Sequence, residues 1–347
     1  MVSEAIVPKR DWIPAQASYA TQAGNLFTMV DRLLDQLDRF PSNRPQRVAV
    51  VGIGASYAAA ASAVYDMRNN GLDALRFLPS ELPAGLSGFK GLTVLVSQSG
   101  RSVEIVDLAR NADGADMIAI TNYMPSPLGM LCEQELNLGN LSDSSVSFVS
   151  FTGTLLVLAM LNDHWNGYNR ANHWKNLIAE AAEAPDRLDT DLREIAAILM
   201  GSASIDVVAP AAFMSVAEET ALMFREGPRV FATALETRQY LHGSMDAAGS
   251  GAHLIFGGQR EALLTDQLSQ KTRRLVFVTG RDGPDGTGTA KHLVLPASLE
   301  DTMSFTIAST LVAQKLTLHM AAIGGVDINE AAFQRLDTKT DSLKTIT

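Results

Sequence analysis

Two short loops rich in glycine and serine have the composition of an anion-binding site. The first has the sequence SQSG at residues 97–100, between an apolar run and a predicted helix, and Ser102 falls at the start of that helix. The N-terminus of a helix offers unpaired N–H donors and a partial positive charge, which suit a phosphate group. Serine is also a common helix cap, so this loop alone fits capping and anion binding equally well.

A second loop, GIGAS at residues 52–56, follows another apolar run and favours the anion-binding interpretation. Its glycines let the backbone approach an anion closely, and its serine adds a neutral donor. A nucleotide is the competing ligand. The loop has the first two glycines of a dinucleotide fingerprint, but Tyr57 stands at the third position, and no lysine follows as in a P-loop. Both kinds of nucleotide site are therefore disfavoured.

The elements that must position these loops follow one repeated order. A polar loop follows each of three apolar runs, at Arg47–Val51, Leu92–Val96 and 116–120. The order strand, loop, helix thus repeats three times. This order predicts a doubly wound parallel sheet, which binds ligands at its carboxyl edge. The same order returns later, with strands expected at 205–208, Ala252–Phe256, 274–279 and 292–295 and helices at Met214–Glu226 and 305–323.

The predicted fold class is α/β, with two tandem doubly wound, flavodoxin-like parallel-sheet domains and flanking helices. A length of 347 residues agrees, because a single core rarely grows beyond about 250–300 residues. Residues 15–40 and 165–200 have helical patterns outside the two repeated units. The expected division is a helical segment at 1–45, a first domain at 46–165, a helical linker at 166–200, a second domain at 201–325 and a tail at 326–347.

Charge and composition argue against several classes of function. The net charge is −10, and a uniformly acidic protein repels nucleic acid. A single cysteine, Cys132, permits neither an internal disulfide nor a thiolate metal cluster, and no His, Asp and Glu residues cluster at ligand spacing. The first residues lack the apolar core of a signal peptide, and no apolar run is long enough to cross a bilayer. We expect a cytoplasmic protein without metal, organic cofactor, membrane or nucleic-acid partner.

The order of these motifs resembles that of the sugar-isomerase (SIS) domain family. The first predicted strand is followed by GxGxS, the second by SQSGxS and the third by Thr121-Asn122. In this order the motifs look like those of the family, and the resemblance covers residues 46–347. The similarity is closest to the isomerase half of glucosamine-6-phosphate synthase and to its stand-alone relatives. It implies that a sugar phosphate is bound by residues of the two loops, namely Gly54, Ser56, Ser97, Gln98, Ser99 and Ser102.

The second half of the chain contains the catalytic part of the resemblance. Residues 217–226 are similar to the family's AxEgALKLKE helix and 239–243 to its ELKHGP segment, with sixteen residues from Glu226 to His242. Taken alone, these two residues would be a solvated helix-end carboxylate and a surface histidine. The resemblance implies that Glu226 moves a proton between C1 and C2 and that His242 opens the sugar ring. A carboxylate suits proton transfer through an enediol, and histidine titrates near neutral pH.

Further residues complete the implied site. Glu219 lies seven residues before Glu226, hence on the same helix face, and is expected to support it. The C-terminal sequence LKTIT resembles the family's lysine-bearing tail, which makes Lys344 the residue that closes over the substrate, although Lys339 competes for that role. The chain is expected to form a homodimer, because the histidine of relatives that matches His242 serves the partner's site.

Two departures from the family pattern indicate an altered sugar end. Met223 stands where the synthase has a lysine, and Ser150 occupies another lysine position in the segment 143–150. We expect no N-terminal glutaminase domain, so amination of fructose 6-phosphate is disfavoured relative to deamination or isomerisation. The substrate is expected to differ from glucosamine 6-phosphate near C1–C3.

The predicted activity is that of a phosphosugar isomerase or an amino-sugar-phosphate deaminase. Such an enzyme interconverts aldose and ketose hexose phosphates, or their amino-sugar analogues, through an enediol or enediolamine. One alternative within the same chemistry is a deglycase for fructosamine phosphates. A second alternative, from another class, is a regulator that senses a sugar phosphate without converting it. The joint presence of Glu226 and His242 favours an enzyme, because a sensor needs neither a base nor a ring-opening group.

Overall fold

Two parallel five-stranded sheets form the frame of the chain. The structure, a computed structural model, describes residues 12–82, 84–112, 114–286, 290–333 and 336–340. The strands of the first sheet are β1 (Arg47–Val51), β2 (Asp73–Phe77), β3 (Leu92–Val96), β4 (Met117–Thr121) and β5 (Gln134–Asn137). Those of the second are β6 (Ile205–Ala209), β7 (Ala232–Glu236), β8 (Ala252–Phe256), β9 (Leu275–Gly280) and β10 (Lys291–Leu295).

Both sheets have the same strand order. The first sheet runs β2-β1-β3-β4-β5, and the second, read from the edge at β7, runs β7-β6-β8-β9-β10. In both sheets every neighbouring pair of strands is parallel. This is the order of flavodoxin-like sheets, in which the direction of winding reverses between the first and third strands. The predicted α/β class and the parallel sheets are confirmed.

Helices cover both faces of each sheet. They are α1 (Ala15–Leu37), α2 (Ala55–Asn69), α3 (Val103–Arg110), α4 (Pro127–Leu131), α5 (Val149–Trp165), α6 (Ala171–Arg187), α7 (Asp189–Met200), α8 (Met214–Glu226), α9 (Thr237–Leu241), α10 (Gln259–Ser269) and α11 (Thr302–Gly324). One large apolar core joins the inner faces of the two sheets through α2, α5, α8 and α11. Smaller cores lie on the outer faces, under α3 and α4 in the first half and under α9 and α10 in the second.

The two halves of the chain meet where α2 packs against α8. The amide of Ser62 donates to the Ser215 hydroxyl (2.8 Å), the amide of Ser215 donates to the Ser62 hydroxyl (3.1 Å), and both serines are fully buried. Alanines at 58–61 keep α2 narrow enough for this close approach. Since the loop at 52–56 leads into α2 and Glu226 ends α8, this contact fixes the separation between the loop and the carboxylate.

A second contact ties α8 to the same loop through Arg76 on β2. The Arg76 guanidinium donates to both carboxylate oxygens of Glu218 (2.6 and 2.7 Å) and to the carbonyl of Tyr57 (3.2 Å). It also lies 4.2 Å from the centre of the Tyr57 ring. A planar guanidinium that pairs with both carboxylate oxygens gives a strong, directional contact. Tyr57 directly follows the 52–56 loop, so this pair holds the start of α2 against α8.

The most apolar helices, α5 and α11, are buried along almost their whole length. A helix that is apolar on all sides requires partners on all sides, and here the other helices and the inner faces of the sheets provide them. Within the residues that the structure describes, no helix has both the length and the apolarity required to cross a membrane.

Candidate active site

The SQSG loop turns sharply between β3 and α3, and its geometry requires the glycine. Gly100 has a φ of +60°, and a Cβ at this position would lie 2.3 Å from the hydroxyl oxygen of Ser126. The almost fully buried Ser97 hydroxyl lies 3.1 Å from the hydroxyl of Ser102. Because Ser102 is the N-cap residue of α3, the polar side chains of the loop gather at the positive end of that helix.

Gln98 contributes a buried donor to the same loop. Its side-chain nitrogen Nε2 has no hydrogen-bond partner among the described residues, and a buried donor in that state indicates a place for a ligand or an ordered water. Its main-chain carbonyl accepts from the amide of Asn122 (2.9 Å). The Asn122 side chain in turn pairs with both main-chain groups of Leu141 (2.8 Å each). Asn122, the first residue after β4, thus supports the SQSG loop.

The GIGAS loop lies beside the SQSG loop at the carboxyl edge of the first sheet. β1 and β3 are direct neighbours, with Val51 opposite Leu95, so the residues that follow each strand meet at one edge. Gly54 has a φ of +58°, and a Cβ there would meet no atom within 4 Å. Ser56 is half-buried in the first turn of α2. The winding reverses at this point, where doubly wound sheets bind ligands, and all six predicted phosphate-binding residues lie there.

The C-terminal tail docks on the SQSG loop and brings a lysine to it. The Lys339 amine donates to the hydroxyls of Ser99 (3.2 Å) and Ser102 (3.3 Å). Main-chain pairing fixes the tail, because residues 102 and 339 form an antiparallel bridge and the amide of Thr340 donates to the carbonyl of Arg101 (2.9 Å). An ammonium group beside two hydroxyls gives the loop the local positive charge that a phosphate dianion needs.

A cleft of about 630 Å³ extends from this tail past the end of α8. Glu226, the last residue of α8, is half-buried and lines the cleft together with Lys339. The predicted base therefore shares a cleft with the lysine that contacts the SQSG loop. Of the two lysines considered for the tail, Lys339 is the one found here, and Lys344 lies outside the described residues.

Glu219 lies two turns before Glu226 on α8 and is only 1% exposed. Its oxygen Oε2 has no hydrogen-bond partner within the part of the chain that the structure describes. Burial holds the pKa of Glu219 well above its usual range, and the nearby carboxylates of Glu226 and Asp143 raise it further. The environment thus favours a neutral carboxyl group at Glu219, which adds no second full charge beside Glu226.

Asp143 and Ser150 explain one departure from the family pattern. The fully buried Asp143 carboxylate accepts hydrogen bonds from the Ser18 hydroxyl (2.7 Å) and from the amides of Phe148 (3.1 Å) and Ser150 (3.0 Å). The Ser150 hydroxyl also donates to it. The carboxylate therefore organises the turn before α5, and Ser150 serves this turn where the family has a lysine.

Met223 explains the other departure. It is fully buried in an apolar cluster that includes Val146, Phe148 and Ile328. Val146 and Ile328 also line the cleft. Part of the cleft surface is therefore apolar and backed by Met223, where the family pattern would place a lysine.

The cleft also has charged and aromatic residues that the sequence analysis did not single out. We call the side chains of Arg225, Arg229, Phe231, Phe333 and Trp12, which all line it, the arginine–aromatic surface. Two of its rings, Phe231 and Phe333, are 69% and 83% exposed. Arg225 lies within the matched segment 217–226, no motif or spacing marks the other four residues, and the left-handed backbone of Arg229 (φ +60°) is evident only in the structure.

Within one chain, His242 does not join Glu226. It is exposed at the end of α9, which packs on the outer face of the second sheet with Tyr240 in the core beneath it. α8 covers the opposite face, where Phe224 belongs to the inner core. His242 is also absent from the residues that line the cleft. The structure thus brings Glu226 and Lys339 together and leaves His242 across the second sheet.

Possible metal ligands and the single cysteine thiol form no additional candidate site in the described ranges. No three His, Cys, Asp or Glu side chains converge there in a group that could hold a metal ion. Burial, with a smaller effect of Glu135, raises the pKa of the Cys132 thiol to about 12. A thiol of that pKa is protonated near neutral pH and is a poor nucleophile.

A larger cavity, of about 800 Å³, lies at the opposite, amino edge of the first sheet. Its lining includes Arg47, Asp73 and Leu92, which begin their strands, and none of the predicted site residues. Loops that follow parallel strands gather at the carboxyl edge, so the chemistry favours the smaller cleft as the site.

Comparison of sequences finds no family model and no curated protein that matches this chain. Comparison of structures finds many similar folds. The C-terminal domain of glucosamine-fructose-6-phosphate aminotransferase from Francisella tularensis is similar over 91% of this chain and 97% of its own, with a TM-score of 0.76 and 18% identity. Glucosamine-6-phosphate deaminase from Thermotoga maritima is similar over 94% and 99%, with a TM-score of 0.73 and 17% identity.

A third similar structure is the tagatose-6-phosphate ketose/aldose isomerase of Escherichia coli. It is similar over 93% of this chain and 97% of its own, with a TM-score of 0.69 and 14% identity. At these identities the likeness concerns the fold. It extends over nearly the whole of both chains in all three comparisons. The chain therefore has the fold of the sugar-isomerase (SIS) phosphosugar enzymes, as the resemblance of its motifs implied.

Proposed function

We propose that this chain is an enzyme that moves a proton between C1 and C2 of a hexose phosphate or an amino-hexose phosphate. The main support is the cleft shared by Glu226 and Lys339, since Lys339 also contacts two hydroxyls of the SQSG loop. A single cleft therefore offers a carboxylate for the chemistry and a cation at an anion-binding loop. The names of the structurally similar proteins refer to the same substrate class.

The phosphate binds at the carboxyl edge of the first sheet. Gly54 and Ser56 approach it from the start of α2, and residues 97–102 approach it from the start of α3. The unpartnered side-chain nitrogen of Gln98 and the Lys339 amine supply further donors. Because the whole chain has a net charge of −10, these local donors are needed to offset repulsion of a phosphate dianion.

Glu226 acts as the base. In an open-chain aldose its carboxylate takes the proton from C2, which leaves an enediol, and returns it to C1 to give the ketose. In a 2-amino sugar the same transfer gives an enolamine and then an imine at C2, which water hydrolyses to the ketose and ammonia. A neutral Glu219 adds no second negative charge beside the Glu226 carboxylate, and the surface backed by Met223 is apolar.

Ring opening precedes this transfer, and His242 performs it in the site of a partner subunit. Exposure of His242 and its position across the second sheet from Glu226 suit a group that acts on a second copy of the chain. The functional unit is then a homodimer. Lys339, or Lys344 further along the same tail, closes over the bound substrate.

The two sheets correspond to two SIS domains in tandem, at 46–165 and 201–325. Their identical strand order supports this division, as does the position of α6 and α7 in the linker at 166–200. The helical segment at 1–45 precedes the first domain, and the tail at 326–347 follows the second.

The proposal is tested with fructose 6-phosphate, glucose 6-phosphate and glucosamine 6-phosphate in D2O. NMR follows product formation and the appearance of deuterium at C1 and C2, and a coupled assay measures ammonia. Since a positioned general base contributes about 10²–10⁴-fold, Glu226→Gln should lower turnover and exchange by that factor. Glu180→Gln, an exposed change on α6, is the control and should behave as the native protein does.

Two results would contradict the proposal. Tight binding of sugar phosphates without turnover or deuterium exchange would favour the sensor over the enzyme. Turnover that survives in Glu226→Gln would show that another group is the base.

A further inference from the structure

His242 depends on a short helix for its position. It directly follows α9, which has only five residues, and its amide donates to the Gln239 carbonyl (3.1 Å) at the end of that helix. A helix of little more than one turn has almost no stability of its own, so contacts with the rest of the chain must hold it. Beyond His242 the chain turns at Gly243, whose φ is +136°. The position of the imidazole therefore depends on the contacts that hold α9.

Tyr240 provides such a contact near the end of α9. Its side chain is fully buried and belongs to the outer core of the second sheet, with Val208 on β6 and Ile255 on β8. Successive side chains of a strand point to opposite faces, so residues two positions apart share a face. Asp206 and His253 precede these apolar residues by two positions, on β6 and β8 respectively. They therefore lie further along the face that Tyr240 covers.

The Tyr240 hydroxyl reaches both of these polar residues. Asp206 and His253 are paired directly across β6 and β8, and Nδ1 of His253 lies 3.5 Å from a carboxylate oxygen of Asp206. The Tyr240 hydroxyl lies 3.3 Å from the same Nδ1 and is hydrogen-bonded to the Asp206 side chain. Polar groups from two strands and from α9 thus meet beneath the helix that leads to His242.

The protonation states of the three groups define a single order of donors. Burial and the charge of Asp206 raise the pKa of Tyr240, so the phenol keeps its proton and donates it to the carboxylate. Burial lowers the pKa of His253 to about 4, so its imidazole is neutral near pH 7. Because the tyrosine hydrogen is engaged, the contact at 3.3 Å is a hydrogen bond when Nδ1 of His253 carries the imidazole proton. His253 then donates to Tyr240, and Tyr240 donates to Asp206.

Stability alone does not account for polar groups at this place. Burial of a carboxylate, an imidazole and a phenol costs free energy that apolar side chains of similar size would not incur. Part of that cost is not offset, because Nε2 of His253 is buried without a hydrogen-bond partner among the described residues. Hydrogen bonds add direction, since they weaken steeply when donor and acceptor move out of line. They therefore restrict sliding and rotation of α9 on the sheet more than apolar contacts would.

We propose that Tyr240 is a positioning residue for His242. Its hydrogen bonds to Asp206 and His253 fix α9 on the second sheet, and α9 fixes the direction in which His242 leaves the subunit. The inference rests on the proposed function, in which His242 opens the sugar ring in the partner's site. A displacement of about 1 Å can cost a factor of about 10² in rate, so a group that crosses a subunit boundary needs such support. Glu226 belongs to α8 on the opposite face of the sheet, so proton transfer does not depend on Tyr240.

Two substrates separate ring opening from proton transfer. Fructose 6-phosphate is mainly a five-membered ring closed through its C5 hydroxyl, whereas 5-deoxyfructose 6-phosphate lacks that hydroxyl and stays open. NMR in D2O measures kcat and KM for deuterium exchange at C1 of each. The His242→Ala protein is the reference. Its kcat should fall by about 10²-fold with fructose 6-phosphate and stay within about twofold of the native value with the 5-deoxy analogue.

Tyr240→Phe keeps the buried ring and removes only the hydroxyl. With fructose 6-phosphate its kcat should fall by about 10–100-fold at a nearly unchanged KM, and with the 5-deoxy analogue both constants should match those of the native protein. Asp206→Asn, which keeps the shape and removes the charge that accepts from the hydroxyl, should show the same difference between substrates. Tyr168→Phe is the matched control, at a tyrosine that is 58% exposed between α5 and α6, and should behave as the native protein does.

The outcomes separate this inference from the proposed function. If Tyr240→Phe and Asp206→Asn exchange fructose 6-phosphate at the native rate while His242→Ala does not, the inference is wrong and the proposed function stands. An equal loss with both substrates, or a changed oligomeric state in gel filtration, would assign the hydroxyl to folding or assembly and overturn the inference. If His242→Ala affects both substrates alike, another group opens the ring and the inference falls with that role. Absence of exchange by the native protein with either substrate would reject the proposed function itself.

Discussion

Replacement of Glu219 by glutamine should remove a pH dependence from the stability of the folded chain. In the native chain this side chain is fully buried, and burial, together with the carboxylates of Glu226 and Asp143, raises its pKa well above the usual range. In the unfolded chain a glutamate titrates near a pKa of about 4.3. Glutamine has nearly the same shape and cannot ionise, so it reproduces the neutral form at every pH.

The sign follows from the protons that the two states bind. Between the unfolded pKa and the raised folded pKa of Glu219, the folded chain keeps a proton that the unfolded chain has lost. The contribution of Glu219 to native stability is therefore greatest below the unfolded pKa and falls by about 1.4 kcal/mol for each pH unit above it, until the folded carboxyl ionises. The glutamine variant lacks this contribution. The difference between its free energy of unfolding and that of the native chain should therefore rise by about 1.4 kcal/mol for each pH unit in this range.

Urea unfolding at several pH values from about 5 to 7.5 measures these free energies. Glu180→Gln is the control, because Glu180 is exposed on α6 and its curve should run parallel to that of the native chain. Parallel curves for the native chain and Glu219→Gln would show that Glu219 is ionised in the folded state. The view that burial keeps a neutral carboxyl beside Glu226 would then be refuted.

Three further predictions concern the subunits, the SQSG loop and the contact between α2 and α8. Hybrid dimers of Glu226→Gln and His242→Ala subunits, each inactive alone, should recover about one active site in two. No recovery would mean that both residues act within one chain. Gly100→Ala should weaken sugar-phosphate binding more than about tenfold in calorimetry, because the left-handed backbone alone costs an alanine about 1–2 kcal/mol. Gly24→Ala, where a Cβ meets no atom, is its control and should bind normally. Arg76→Ala should lower the free energy of unfolding in urea by about 1–3 kcal/mol, and Arg76→Lys should recover part of it.

The central strands could be predicted from the sequence, whereas several edge strands could not. β1, β3 and β8 occur at the predicted residues, because a parallel strand buried on both faces is a continuous apolar run. β2, β5 and β7 were not predicted. They are half-buried and contain charged residues such as Asp73, Arg76 and Glu236. Pairing with the neighbouring strand, rather than their own composition, makes these segments strands.

The candidate site shows a similar division between local and long-range information. The SQSG loop was predictable, because a glycine at the turn and serines at a helix start are local requirements. The contact of Lys339 with this loop was not, because it depends on a main-chain bridge between residues 102 and 339. The same holds for Arg229, since its position in the cleft depends on a backbone conformation that its residue type does not favour.

The residues around the proposed sugar end differ in charge from the family pattern. Met223 and Ser150 remove two lysines that the family pattern would place at the site, and the structure commits both positions to packing and to a local hydrogen bond. Arg225 keeps a basic residue at the second lysine position of the AxEgALKLKE pattern, and Arg229 provides a positive charge elsewhere in the same cleft. Because basic side chains remain in the cleft, we expect it to attract anions still, with the positive charge distributed differently along a bound substrate. The Glu226 carboxylate also lines this cleft, so the proposed proton transfer could be retained while substrate recognition differs.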